Sequence, residues 1–127
     1  MSEPAYVLDH LGFPVRGLVA ARRFYEAALA PLGFSVVMDF GEVLGIGLPG
    51  RPQFWIHQGE PGAPVHIAFH AADRARVDAF HSAALAAGGK DNGAPGLRPH
   101  YHADYYAAYA FDPDGNNVEA VCHSPSQ

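Results

Sequence analysis

An α+β domain made of one strand–helix–three-strand unit used twice is the architecture the sequence predicts, on three observations. The segment Phe24–Ala30 (FYEAALA) returns at Phe80–Ala86 (FHSAALA), and the same offset of 56 residues lays His10 on His66, Leu11 on Ile67 and Phe13 on Phe69. Each copy opens with a β-branched and aromatic segment followed by a helical period. Each then runs into extended pieces bounded by turn-forming residues. A shared helical run alone carries little weight in an alanine-rich chain; a shared run with a matched strand at one offset carries much more.

The elements follow in order. Tyr6–Val15 and Val65–Ala71 read as the opening strands of the two units. Ala21, Phe24, Tyr25, Ala28 and Leu32 recur at helical spacing, and Val77, Phe80, His81, Ala84 and Gly88 repeat the frame. Gly17 and Asp73 stand just ahead of these helices, as N-caps do, while Pro31 with Gly33 and Gly88 with Gly89 close them. Ser35–Phe40, Val43–Leu48 and Phe54–Gln58 complete the first unit. The second continues through a Gly/Pro-rich stretch, Gly88–Pro99, then Tyr105–Phe111 and Val118–Cys122, with Asp112-Pro113-Asp114-Gly115 as the turn between the last two. The chain is thus expected to be a single domain over 1–127, with module one at about 5–60 and module two at about 64–123.

Bulk properties narrow the function. A formal charge of −5 without a basic cluster excludes nucleic acid and anionic membrane as expected partners. No apolar run approaches the roughly 20 residues of a membrane helix, and Met1–Pro4 carries no basic n-region, so a cytoplasmic location is the default expectation. A single cysteine, Cys122, permits neither an internal disulfide nor a cysteine-based zinc site. What stands out is eight histidines beside only eight Lys plus Arg, because histidine is the commonest metal ligand and acid/base group.

Strand parity sorts these histidines. Leu11, Phe13 and Val15 share one face of the first strand, and His10, Gly12 and Pro14 the other. Ile67 and Phe69 oppose His66, Ala68 and His70; Val118, Ala120 and Cys122 oppose Asn117, Glu119, Val121 and His123. In Phe54–Gln58, Phe54 and Ile56 alternate with Trp55 and His57. Four strands therefore combine an apolar back with a front where His or Glu stands among small residues. Two imidazoles and a carboxylate over open space suit one divalent ion (Fe, Ni, Mn, Co or Zn) with positions left for substrate or water. A lone strand histidine is ordinarily a hydrogen-bonded structural residue; a buried lone carboxylate without a cation is costly.

These segments resemble the vicinal-oxygen-chelate superfamily, the glyoxalase, bleomycin-resistance and extradiol-dioxygenase group. Asp9–Val15 (DHLGFPV) is similar to its opening strand, Arg22–Tyr25 (RRFY) to its first helix, Val65–Phe69 (VHIAF) to its second opening strand, and Phe111–Glu119 (FDPDGNNVE) to its closing turn and ligand strand. The resemblance implies two βαβββ modules in one chain forming a cupped mixed sheet with helices on the outside, commonly in a homodimer. It implies metal ligands at His10, His66 and Glu119, and a small substrate with two adjacent oxygens whose enolate-like or oxyanion charge the metal stabilises as a Lewis acid. Catalytic roles fall on Glu119, Tyr109, His57 and His100, with Trp55, His102, Tyr105 and Gly12 facing substrate.

Within the group the residues discriminate less. Glyoxalase I adds a glutamate on the last strand of the first module, where Gln53–His57 (QFWIH) has no carboxylate. Fosfomycin-resistance transferases share a Trp like Trp55 and a Tyr like Tyr109, but Gly12 stands where they place a substrate-contacting Thr. Extradiol dioxygenases place a His and a Tyr ahead of the last ligand, as His100 (or His102) and Tyr109 do here, but Ala108 replaces their larger apolar residue. The expected activity is that of a metal-dependent lyase or isomerase of glyoxalase type. An Fe(II) dioxygenase and a metal-free small-molecule binding or resistance protein are the alternatives.

Overall fold

The structure is a computed structural model that describes residues 7–125. Its elements are β1 (Leu11–Val15), α1 (Leu18–Leu29) with a 3-10 turn (Ala30–Leu32), β2 (Ser35–Asp39), β3 (Val43–Leu48), β4 (Arg51–Gln58), β5 (His66–His70), α2 (Arg74–Ala86), β6 (Lys90–Leu97), β7 (Tyr106–Phe111) and β8 (Asn117–Cys122). Two four-stranded mixed sheets result, ordered β1-β4-β3-β2 and β5-β8-β7-β6. In each, the opening strand runs parallel to the last strand of its module and the remaining pairs are antiparallel. The duplication seen in sequence is thus a duplication of topology. The first strand is shorter than expected, and Tyr6 lies outside the described residues.

Helix ends obey local chemistry. The Asp73 carboxylate accepts from the Arg76 N–H at 2.9 Å, whereas Gly17 caps α1 through extended backbone alone. Gly33 leaves the 3-10 turn at φ +93°, a conformation that costs glycine nothing.

One strand was not legible: β6 lies inside the stretch read as Gly/Pro-rich connection. It has no β-branched residue, but it is an edge strand with register shifts at Asp91/Gly93 and Gly93/Gly96, where glycine bulges and Pro95 are tolerated.

The helices α1 and α2 pack against each other, and the back faces of both sheets join them in one core. Phe54 of β4 meets Phe69 of β5 edge-on at 5.5 Å, and Tyr25 of α1 meets Phe54 at 4.8 Å. Each sheet's front therefore looks away from the shared core. Cys122 is buried on the back, as parity predicts. His81, on the inward face of α2, is buried, with Nε2 2.9 Å from Asp91. Among the described residues no helix is long and apolar enough to cross a membrane.

Candidate functional site

The second sheet's front is built around β5 and β8. Their parallel register sets Ala68 beside Glu119, and β7 sets Tyr109 on its other side. The turn before β8 locks that register. Oδ1 of buried Asp112 accepts the N–H groups of Asp114 (2.9 Å) and Asn116 (2.8 Å), while Oδ2 accepts the Asn116 amide (2.8 Å) and the Tyr25 hydroxyl of α1. Asn116 Oδ1 in turn accepts from the Val65 N–H at 2.9 Å, tying down the start of β5. Gly115 at φ +87° completes the turn. The Asp-Pro-Asp-Gly-Asn run is thus a clamp that places its two neighbours, His66 and Glu119.

Glu119 is 1% exposed, and its two oxygens are both spoken for. Oε1 lies 2.8 Å from His66 Nε2, and Oε2 accepts the Tyr105 hydroxyl. His66 remains half exposed, so the pair is a buried acid at the floor and an imidazole at the mouth. Burial first, then the hydrogen bond to Glu119 and its charge, push the Tyr105 phenol well above its ordinary range. Burial and the Glu119 charge push Tyr109 up as well. Both phenols stay protonated at neutral pH, as donors facing a carboxylate.

A ring of aromatic and imidazole groups rises beside this floor. Tyr101, His102 and His123 pack their rings around Tyr105 at 4.7, 5.6 and 5.3 Å, and His100 tilts against Tyr101 at 4.2 Å. The Asp104 N–H lies 3.1 Å from His102 Nδ1, so that nitrogen is an acceptor and the proton sits on Nε2. That Nε2–H donates to His123 Nδ1 at 2.9 Å, and His70 stacks beyond at 6.4 Å. His100 is therefore one ring removed from Tyr105. Tyr106, next in sequence, points the other way: its hydroxyl donates to Asp78 of α2 at 2.7 Å, beneath Arg74.

The first sheet repeats the pattern with different chemistry. Gly12 faces Trp55 as Ala68 faces Glu119, so Trp55 takes the first-module position that the carboxylate takes in the second. Its indole lies across Gly45, where a Cβ would come within 2.8 Å of the ring, and Gly12 leaves room for its Cβ. Phe40 stacks on it at 6.3 Å with planes 6° apart. His57 is exposed further along the same front. His10 stands one residue before β1, half exposed, with Nδ1 2.7 Å from Asp9, in a 340 Å³ cleft that also reaches Ala68 and His70.

The structure thus brings together His66, Glu119, Tyr105, Tyr109, His102 and His123. Gly12, Trp55 and His57 belong to the other sheet, and His10 stands just ahead of its first strand. Among the described residues no three His, Cys, Asp or Glu side chains are placed to hold a metal ion together, so one chain does not join His10 to His66 and Glu119. The imidazole nitrogen and carboxylate oxygen of that pair are donor types that fit a divalent ion, two of the three a site requires. Sequence reasoning missed Arg98, whose guanidinium lies 5.3 Å from the Tyr109 ring centre. It stands just beyond a bulged strand, where parity gives no guide.

Comparison with known proteins agrees with this architecture. The family profile described as the Glyoxalase/Bleomycin resistance protein/Dioxygenase superfamily matches residues 7–120. A glyoxalase/bleomycin resistance protein from Albidiferax ferrireducens is 30% identical with a TM-score of 0.78, covering 91% of this chain and 98% of that one. A lactoylglutathione lyase from Agrobacterium tumefaciens is 22% identical with a TM-score of 0.66, covering 95% and 96%. A glyoxalase/bleomycin resistance protein/dioxygenase family enzyme from Burkholderia phytofirmans is 20% identical with a TM-score of 0.71, covering 92% and 98%. No curated protein matches the chain. By the extent of the profile match and by fold, the chain belongs to the Glyoxalase/Bleomycin resistance protein/Dioxygenase superfamily.

Proposed function

We propose that this protein is a metal-dependent enzyme of glyoxalase type. It acts on a small molecule with two adjacent oxygens, at a site that two copies of the chain complete. One observation carries the reading: the carboxylate of Glu119, sealed from water, is shared between an imidazole and a phenol instead of an arginine or lysine. A buried carboxylate without a cation is expensive, and a bound divalent ion removes that cost. His66 and Glu119 supply two ligands, and His10 of a second copy supplies the third. Such an ion polarises adjacent substrate oxygens as a Lewis acid.

The chain's own groups do the rest. Tyr105 fixes which way the Glu119 carboxylate points. Glu119 and the protonated phenol of Tyr109 are the acid/base pair nearest the reacting atoms. The Tyr101–Tyr105 ring wall excludes water from one side. Trp55 and Phe40 of the second copy supply the flat apolar wall opposite, and His57 and His100 stand at the rim. In this reading the protein is a homodimer.

Metal content tests it without knowledge of the substrate. Protein purified without chelator or affinity metal is expected to hold near-stoichiometric metal, lost in His66→Ala, Glu119→Gln and His10→Ala. Co-expressed His10→Ala and Glu119→Gln chains regain one intact site per mixed dimer, about a quarter of all sites in a random mixture. Metal retained by all three single variants, or none regained by the mixture when the parent binds it, overturns the shared site. No metal in the parent protein, with tight binding of aromatic ligands, transfers the reading to small-molecule sequestration.

A further inference from the structure

Arg98 is placed on the same front as Glu119. Ala68, Glu119, Tyr109 and Gly93 form one row across β5, β8, β7 and β6, so their side chains share a face. The guanidinium lies in that row, over the Tyr109 ring and across glycines of β6. A Cβ on Gly93 would come within 3.3 Å of one terminal nitrogen, and a Cβ on Gly96 within 3.2 Å of the other. The bare backbone of β6 therefore makes a shelf that this side chain occupies. One terminal nitrogen donates to the Ala94 carbonyl at 2.8 Å; the other makes only a long contact, 3.5 Å, to the Leu97 carbonyl. The Arg98 backbone N–H donates to the Tyr105 carbonyl at 2.7 Å, which ties the arginine to the residue whose hydroxyl sits on Glu119.

Arg16, Arg22, Arg74 and Arg76 each face an aspartate or glutamate, but Arg98 has no acidic partner among the described residues. Two backbone carbonyls take two of the five N–H groups a guanidinium carries, leaving three donors and a full positive charge held in place. In a chain of net charge −5, such a fixed, unneutralised cation on the face of the candidate site is a ready anchor for an anion.

We propose that Arg98 binds an oxyanion of the substrate, a carboxylate or a phosphate, at a distance from the reacting oxygens. The inference rests on reading the second sheet's front as the substrate surface. Two strand spacings, about 10 Å, separate Gly93 from Glu119, and the guanidinium leans back over Tyr109, one strand nearer. The substrate class is then a small acid or phosphate ester whose adjacent oxygens lie a few bonds from its anionic group. The guanidinium fork accepts either anion in bidentate fashion, whereas a residue that merely staples the β6 bulge binds neither.

Titration of the full ¹⁵N-labelled chain with inorganic phosphate, and separately with benzoate, tests this by the signals of the Arg98 Nε–H and the backbone amides from Ala94 to Tyr106. Saturable shifts are expected with at least one anion, weakened tenfold or more in Arg98→Met and in Arg98→Gln. Arg98→Lys, which keeps charge but not the fork, is expected between them and the parent. Tighter phosphate points to a phosphate ester; tighter benzoate points to a carboxylate. Absence of saturable shifts with both anions, or unchanged affinity in a folded neutral variant, overturns the proposal. The readout needs no metal and is expected to survive His66→Ala, so failure of the metal site and failure of the anion site are separate results.

Discussion

At the scale of single residues, the candidate site turns on where the oxygens of Glu119 point. A carboxylate with His66 on one oxygen and Tyr105 on the other has a fixed plane, and groups that orient a ligand in this way typically matter 10- to 100-fold in metal affinity. Tyr105→Phe keeps the ring, and with it the contacts to Tyr101, His102 and His123. It is therefore expected to leave the fold intact while weakening metal binding by about that factor, read by chelator competition. Unchanged affinity would make Tyr105 a wall residue only. Part of this site is legible in the sequence: the faces of His66 and Glu119 follow from strand alternation, while Tyr105 and Tyr109 come from the family resemblance. Arg98 and the His102–His123 pair were not assignable, since their places depend on a bulged edge strand and on a loop whose path has no period.

Elements are held in register by small residues and by one polar clamp. Gly89, between α2 and β6, leaves no room for a side chain: a Cβ would come within 2.5 Å of Phe24, 2.8 Å of the Ala84 carbonyl and 3.0 Å of the Phe111 carbonyl. Gly89→Ala is expected to cost about 1–3 kcal/mol through overpacking, measured by urea denaturation. Gly62→Ala, where a Cβ meets nothing within 4 Å, is the control and is expected to be neutral within about 0.5 kcal/mol. Equal effects at both positions would contradict the packing described around Gly89. The Asp112 clamp works across a longer distance, joining α1 to the turn before β8. The sequence marks that turn through its Asp, Pro, Gly and Asn residues, but its partner on α1, Tyr25, lies 87 residues away.

Across the whole molecule, one core serves both modules, and Tyr25 is a fully buried phenol within it. Burial first, and then the Asp112 charge, raise the Tyr25 pKa well above the ordinary range of a phenol. A group whose folded pKa is raised contributes stability that is complete below its unfolded pKa and declines as pH rises from there toward the folded value. Denaturation midpoints are therefore expected to fall as pH climbs above about 10, and to fall less steeply in Tyr25→Phe, which has no proton to lose. A parallel decline in both proteins would assign the alkaline sensitivity elsewhere. The duplicated unit, the helices, seven of the eight strands and the front or back address of side chains in four of them are legible in the sequence, because periodicity and turn chemistry are local. Long-range packing sets α1 and α2 in a shared core, turns the fronts of the two sheets away from it, and pairs His66 with Glu119 while His10 stays apart. Those outcomes depend on how two amphipathic modules bury their backs against each other, a choice made by side chains far apart in the chain and written in no single stretch of it.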